Sequence, residues 1–270
     1  IKAIEYYIRE RFAERSIPHD QYIHFGLTSQ DINSLAMSTM LQRFNENEMV
    51  SDMNEMIGTL FDFGDRNNTI FPARTHGQLA VPTTFQKEID VFAHRLQEVV
   101  LNLVDYKFSA KFGGAVGNLS AHYIAYPDKD WRSFMNNFIT SYNLDREVLT
   151  TQVSNNASIS RYFDNIRMIN NILIGLCRDI WMYNSYGYFK QAVAAGEIGS
   201  STMPQKINPI AFENAEGNLE LSNALLSFMS DKLQISRMQR DLSDSTVLRN
   251  VGVALGHAVV AYKSIIEGLR

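Results

Sequence analysis

The stretch TTFQKEIDVFAHRLQEVVLNL, residues 83–103, decides the fold class. Its apolar side chains Phe85, Ile89, Phe92, Leu96, Val99 and Leu103 recur by four and three. A period near 3.5 residues keeps them on one face only if the chain is α-helical. Thr83 and Gln86 stand in capping-box spacing just behind Pro82, which predicts a helix start there. Outward from this stretch the pattern repeats. Ile166, Ile169, Leu173, Leu176, Ile180 and Tyr183 form a second seam, and Val251, Ala254, Ala258, Tyr262 and Ile265 a third. Two more helices are read from about Asp31 to Asp65 and from Pro209 to Leu233. No clear period-2 strand stands out. The prolines (Pro18, Pro72, Pro82, Pro127, Pro204 and Pro209) fall between these segments or at their starts. The reading is an all-α chain, an elongated bundle of long helices. Narrow seams on several faces also point to partner helices from other subunits, against the plainer alternative of a self-contained bundle.

The bulk numbers bound the function. With 270 residues, 45% of them hydrophobic, the chain can bury one large core or two smaller ones. A net charge of −4 argues against a nucleic-acid-binding surface, which needs clustered Lys and Arg. No apolar run is long enough for a membrane-spanning helix. The single cysteine, Cys177, lies in the apolar stretch LIGLCRDIW and reads as a buried structural thiol. It excludes an internal disulfide framework and fits a reducing, cytoplasmic compartment. The chain opens on Ile1 in what reads as mid-helix, so further residues are expected upstream.

Between the helices lie polar segments that carry chemistry. Residues 196–209, GEIGSSTMPQKINP, combine two glycines with the hydroxyls of Ser200, Ser201 and Thr202, and with Lys206 and Asn208 as donors to an anion. Pro209 then starts a helix whose free amides favour negative charge. Such a loop suits a lid over an anionic substrate, although Ser and Thr are also common in ordinary connections. In RTHGQ, residues 74–78, His76 stands beside a charged residue and a hydroxyl, where an imidazole can act as acid or base near neutral pH. An exposed loop histidine is the alternative. Of the others, His94 falls on the solvent side of a seam and His257 in a helix core. His19 follows a turn proline, while His24 and His122 read as structural hydrogen-bonders. Thr28, Ser29 and Asp31 open a helix and form either a small anion site or a plain N-cap. Arg240 and Arg249 flank Ser243, Ser245 and Thr246, an arrangement able to clamp a phosphate or to form a solvated charged turn. The glycines in GGAVGN, residues 113–118, indicate close backbone approach to a ligand. No helical metal-ligand motif such as His-Glu-x-x-His is present, so no metal is expected.

In this order the segments resemble the fumarase/aspartase superfamily. Residues 199–209 match its Gly-Ser-Ser-x-Met-Pro-x-Lys-x-Asn-Pro signature at every fixed position. TSQD at 28–31, RTHGQ at 74–78, GAVGN at 114–118, Thr151-Gln152 and RMQRDLSDSTVLR at 237–249 are similar to the adenylosuccinate lyases, bacterial-type branch, over essentially the whole chain. The resemblance implies a three-domain protein whose middle domain is a long-helix bundle. Residues 1–20 would end the first domain and 21–255 form the central bundle. Residues 256–270 would end that bundle or edge the third domain. It implies a homotetramer with active sites shared between subunits, small-molecule ligands (succinyl-AMP, AMP and fumarate) and no cofactor. The reaction implied is β-elimination of fumarate. Ser200 would be the base and His76 the acid. Lys206 and Asn208 would hold the succinyl carboxylates, and Thr28, Ser29, Gln152, Arg240, Ser245 and Arg249 would bind the rest of the substrate. Three positions depart from the family pattern. Gln205 replaces a common His, Asn156 replaces a frequent His four residues after Gln152, and the family's Asn-His-Asp motif would fall immediately before Ile1.

Overall fold

The computed structural model describes residues 2–191, 203 and 207–270. Two compact units share the chain. The first holds the chain up to Gln42 with Lys107–Ile159 and Leu233–Ser243, the second Arg43–Tyr106, Ser160–Lys232 and Asp244–Arg270.

The second unit is the helical bundle that the seams predict. The helix read from Asp31 to Asp65 is in fact two, α2 (Ser29–Phe44), which lies in the first unit up to Gln42, and α3 (Val50–Arg66) of the second, with a π-helical turn over Asn45–Met49 between them. Such a turn takes up an extra residue without ending the helix. The side chain of Asn45 is buried there and donates from Nδ2 to the Leu103 carbonyl at 2.8 Å. The stretch that decided the fold forms α4 (Phe85–Val100), and Phe85, Ile89, Phe92, Leu96 and Val99 are all buried. Its cap is Thr84, whose Oγ1 accepts the Lys87 N–H at 3.2 Å, one residue later than the capping-box spacing placed it. Thr83 instead donates to Glu88 Oε1 at 2.8 Å.

The remaining long helices are α7 (Ala157–Ser185), α8 (Ile210–Lys232) and α10 (Val251–Leu269). Between α7 and α8, Ser160 pairs with Ser230, Asn170 with Ser222, Arg178 with Glu216 and Trp181 with Glu213. One number rises as the other falls, so the two helices run antiparallel. Between α8 and α10, His257 meets Asn218 and Ser264 meets the Ala211 carbonyl, again antiparallel. At the centre, Tyr262 donates to Asn170, whose amide donates to Ser222 and Asn223. Within a close-packed apolar interior, such a polar ladder fixes helix register. Cys177 is buried as expected, and burial pushes its thiol up to about 12.

The unit also contains strands that the period-2 test missed. Residues 70–84 form an antiparallel hairpin, β1 (Ile70–Thr75) and β2 (Gln78–Thr84). Its register slips by one residue between Pro72 and Arg74. This short ribbon has exposed residues on both faces, among them Ile70, Leu79 and Val81, so no apolar-polar alternation marks it.

The first unit is irregular. It contains α1 (Lys2–Glu14), which buries none of its residues, a two-residue parallel pairing of β3 (Ser109–Ala110) with β4 (Asp145–Arg146), and two short helices, α5 (Ser120–Ala125) and α6 (Trp131–Thr140). An aromatic cluster takes the place of long seams. The buried ring of His122 stands edge-on to Phe25 at 5.3 Å and to Trp131 at 4.9 Å between centroids. Gly26 makes room for it, since a Cβ there would lie 2.5 Å from the imidazole. His122 was read as a hydrogen-bonder, but its Nδ1 is buried without a partner among the described residues.

Candidate active site

In the first unit, two of the residues read as substrate-binding, Thr28 and Gln152, are held by one buried ion pair. Lys111 Nζ lies 2.7 Å from Asp31 Oδ1, and neither side chain is exposed. The Asp31 carboxylate also accepts the Thr28 N–H at 2.8 Å and the Gly113 N–H at 2.9 Å. Asp31 therefore caps the start of α2 through its own side chain. The hydroxyls of Thr28 and Ser29 make no hydrogen bond among the described residues. Lys111 continues to the carbonyls of Gly114 at 3.2 Å and Gln152 at 2.8 Å. Burial pulls its ammonium below the ordinary lysine range, and the hydrogen bond and charge of Asp31 work in the opposite direction.

Gln152 is fixed at three further points. Its N–H donates to Gln239 Oε1 at 3.1 Å, its Nε2 to the Ala115 carbonyl at 2.8 Å, and its Oε1 accepts from Arg240 Nη1 at 3.5 Å. Gln152 and Arg240 are thus brought together, and a buried Nε of Arg240 has no partner among the described residues. In the 113–118 loop, Gly117 serves this arrangement. A Cβ on Gly117 (φ +75°) would stand 2.0 Å from the Thr150 carbonyl oxygen, so the close approach is to the chain's own backbone. Asn156 is buried and donates to the Leu233 carbonyl at 2.9 Å, a structural role.

In the second unit, His76 sits at the tip of the β1–β2 hairpin. His76 (φ 52°) and Gly77 (φ 72°) are both left-handed, the two-residue turn that matches strand twist. The imidazole is exposed. Arg74 anchors the hairpin from below. Its Nε donates to the Tyr188 hydroxyl at 2.9 Å, its Nη1 to the Gly77 carbonyl at 2.9 Å, and its guanidinium lies 4.1 Å over the Tyr186 ring. Asn208 is half-buried just before α8, and its carbonyl accepts the Ile210 N–H at 2.8 Å. Ser245 lies in the short helix α9 (Ser243–Leu248) with its N–H on Asp244 Oδ1 at 2.7 Å. Arg249 is exposed just beyond it. Ser200 and Lys206 fall outside the described residues.

Comparison with known proteins places the chain in a family. A family model described as "Lyase" matches residues 2–221. The chain belongs to the lyase family. A second model, "Adenylosuccinate lyase C-terminal", matches residues 236–270, the segment that holds Arg240, Ser245 and Arg249. An adenylosuccinate lyase of Legionella pneumophila (strain Corby) is 46% identical over 271 residues, covering 99% of this chain and 59% of its own length. One from Escherichia coli (strain K12) is 43% identical over 272 residues, covering 100% and 60%. The chain therefore spans about three fifths of these relatives. Among solved structures, a 3-carboxy-cis,cis-muconate lactonizing enzyme from Pseudomonas putida has a TM-score of 0.75 at 20% identity, covering 99% of this chain and 58% of that one. That likeness speaks for the fold alone, a bundle of long helices.

No motif in the sequence singles out Lys111. The one signal was a charged residue inside the apolar run FSAKFGG, where only a paired lysine is tolerated. A cleft of about 770 Å³ lies in the second unit, lined by residues such as Arg66, Phe71, Tyr188 and Phe212, and it contains none of the expected site residues. Among the described residues no group of three or more His, Cys, Asp or Glu is arranged to hold a metal, and no helix is long and apolar enough to cross a membrane.

Proposed function

We propose that this chain is the greater part of an adenylosuccinate lyase that eliminates fumarate from succinyl-AMP to leave AMP, and that acts likewise on the succinyl-carboxamide ribotide of purine biosynthesis. The observation that carries this reading is the similarity of 43–46% to adenylosuccinate lyases along the whole chain. In this reading, the Ser200 oxygen removes a proton from the succinyl carbon next to a carboxylate, and the charge spreads into that carboxylate. The carbon–nitrogen bond then breaks as His76 protonates the departing nitrogen, and fumarate leaves. Lys206 and Asn208 hold the succinyl carboxylates, where preformed positive charge lowers the barrier most. Thr28, Ser29, Gln152, Arg240, Ser245 and Arg249 bind the nucleotide, with the arginines on the phosphate.

The exposure of His76 on a hairpin tip supports a site completed by neighbouring subunits. So do Leu221 and Phe228 on α8 and Val253 and Val260 on α10, which are exposed apolar pairs at heptad spacing. We infer a homotetramer with shared active sites, acting in the cytoplasm. The test is fumarate release from succinyl-AMP by the full-length protein, followed by absorbance. Activity is expected in the wild type and lost in Ser200→Ala. Full turnover in that variant overturns the role of the base, and failure to bind AMP favours a sister lyase instead.

A further inference from the structure

We propose that the buried Asp31–Lys111 pair is a positioning device for substrate binding, tying the start of α2 with Thr28 and Ser29 to the loop that presents Gln152. The inference rests on the functional reading above, in which those three residues touch substrate.

The geometry carries it in three steps. Both groups are saturated. An ammonium has three donors, and those of Lys111 go to Asp31, the Gly114 carbonyl and the Gln152 carbonyl. Asp31 receives the Thr28, Gly113 and Gly114 N–H groups in addition to Lys111. Neither side chain is exposed, so neither can touch substrate or water. Each acts only through what it holds. What they hold are three separate backbone segments, and two of them carry expected substrate contacts.

Stability alone does not account for such a pair. Two buried charges lose their hydration, and an apolar pair of similar volume commonly does as well or better. A saturated pair differs from an apolar one in direction, because each hydrogen bond fixes an angle as well as a distance. Binding groups displaced by a fraction of an ångström lose much of their effect, so a rigid supporting layer has a function there.

The test is a double-mutant cycle on the full-length enzyme, with succinyl-AMP as substrate. Lys111→Met and Gln152→Ala are made singly and together, and kcat and KM are measured for each. A positioning role predicts that Lys111→Met lowers kcat/KM by about tenfold or more, mainly through KM. It also predicts that Lys111→Met costs clearly less in the Gln152→Ala background than in the wild type, because part of its effect runs through Gln152. Losses that multiply, or a Lys111→Met enzyme within about threefold of wild type, overturn the proposal. If Lys111→Met does not fold, the isosteric Asp31→Asn enters the same cycle with the same criteria. Failure of both to fold assigns the pair to stability alone. A wild type that releases no fumarate overturns the functional reading and the proposal together, whereas an active wild type with uncoupled variants overturns the proposal only.

Discussion

The hydroxyl of Tyr262 donates to Oδ1 of Asn170 at 2.6 Å, linking α10 to α7 inside the bundle with both residues fully buried. Burial raises the phenol far above its ordinary range, so it remains a donor at every pH at which the protein is folded. Tyr262→Phe keeps the shape and leaves the Asn170 oxygen without its donor. The expected loss is about 1–3 kcal/mol, measured by urea unfolding. A variant as stable as wild type would show that water enters the bundle there.

His76 is exposed at a turn, so its removal leaves the bundle intact. His76→Ala is expected to lower kcat on succinyl-AMP by about 10²–10⁴ with an unchanged thermal midpoint. Unchanged kcat would remove it from the reaction. Gly77→Val acts differently, because a β-branched residue at φ 72° costs about 1–2 kcal/mol locally. It should lower activity by disturbing the hairpin tip while the imidazole is still present.

Cys177 is buried, and its thiol is pushed up to about 12. Only the thiolate reacts readily. Labelling by a thiol-specific reagent at pH 8 should therefore be slow in the native protein and become fast in urea, along the unfolding curve. Rapid native labelling would mean that α7 opens locally.

His122 supplies the pH dependence. Burial lowers its pKa in the folded state, and the nearby Asp31 charge opposes this only in part. The unfolded chain then binds a proton that the folded chain resists, so stability rises with pH through this window. The thermal midpoint should be flat above about pH 7 and fall as pH drops below the unfolded value of about 6.5. His122→Gln should flatten this slope, and an identical slope in the variant would place the dependence elsewhere.

The helices were legible because their seams are long, and each has the period of its own element. Phe85 to Val99 needs no tertiary information to be read as one buried face. The π turn at Asn45–Met49 was not legible, since one extra residue leaves the apolar pattern on either side unbroken. The β1–β2 hairpin failed for a different reason. Pro72 and Pro82 interrupt it, its apolar residues are exposed, and His-Gly is a weak turn signal compared with Asn-Gly. The same strand carried the cap from Thr83 to Thr84. Among site residues, the family pattern implies that Gln152 and Arg240 serve one substrate, but not that they touch, and spacing is silent because the two segments lie far apart in the chain. The glycines of residues 113–118 signal a close approach, and at Gly117 what approaches is the Thr150 backbone, since sequence shows that something comes close but not what.

Arg74 has a consequence for how motion is shared. It grips Tyr186 and Tyr188, and those tyrosines lead directly into the connection that carries Ser200. The proposed proton donor and the entry to the segment with the proposed proton acceptor thus hang from one hinge pin. Linkage makes any such influence run equally in both directions. A change that displaces Arg74 therefore acts on the hairpin turn at Gly77 and on Tyr186 and Tyr188 together.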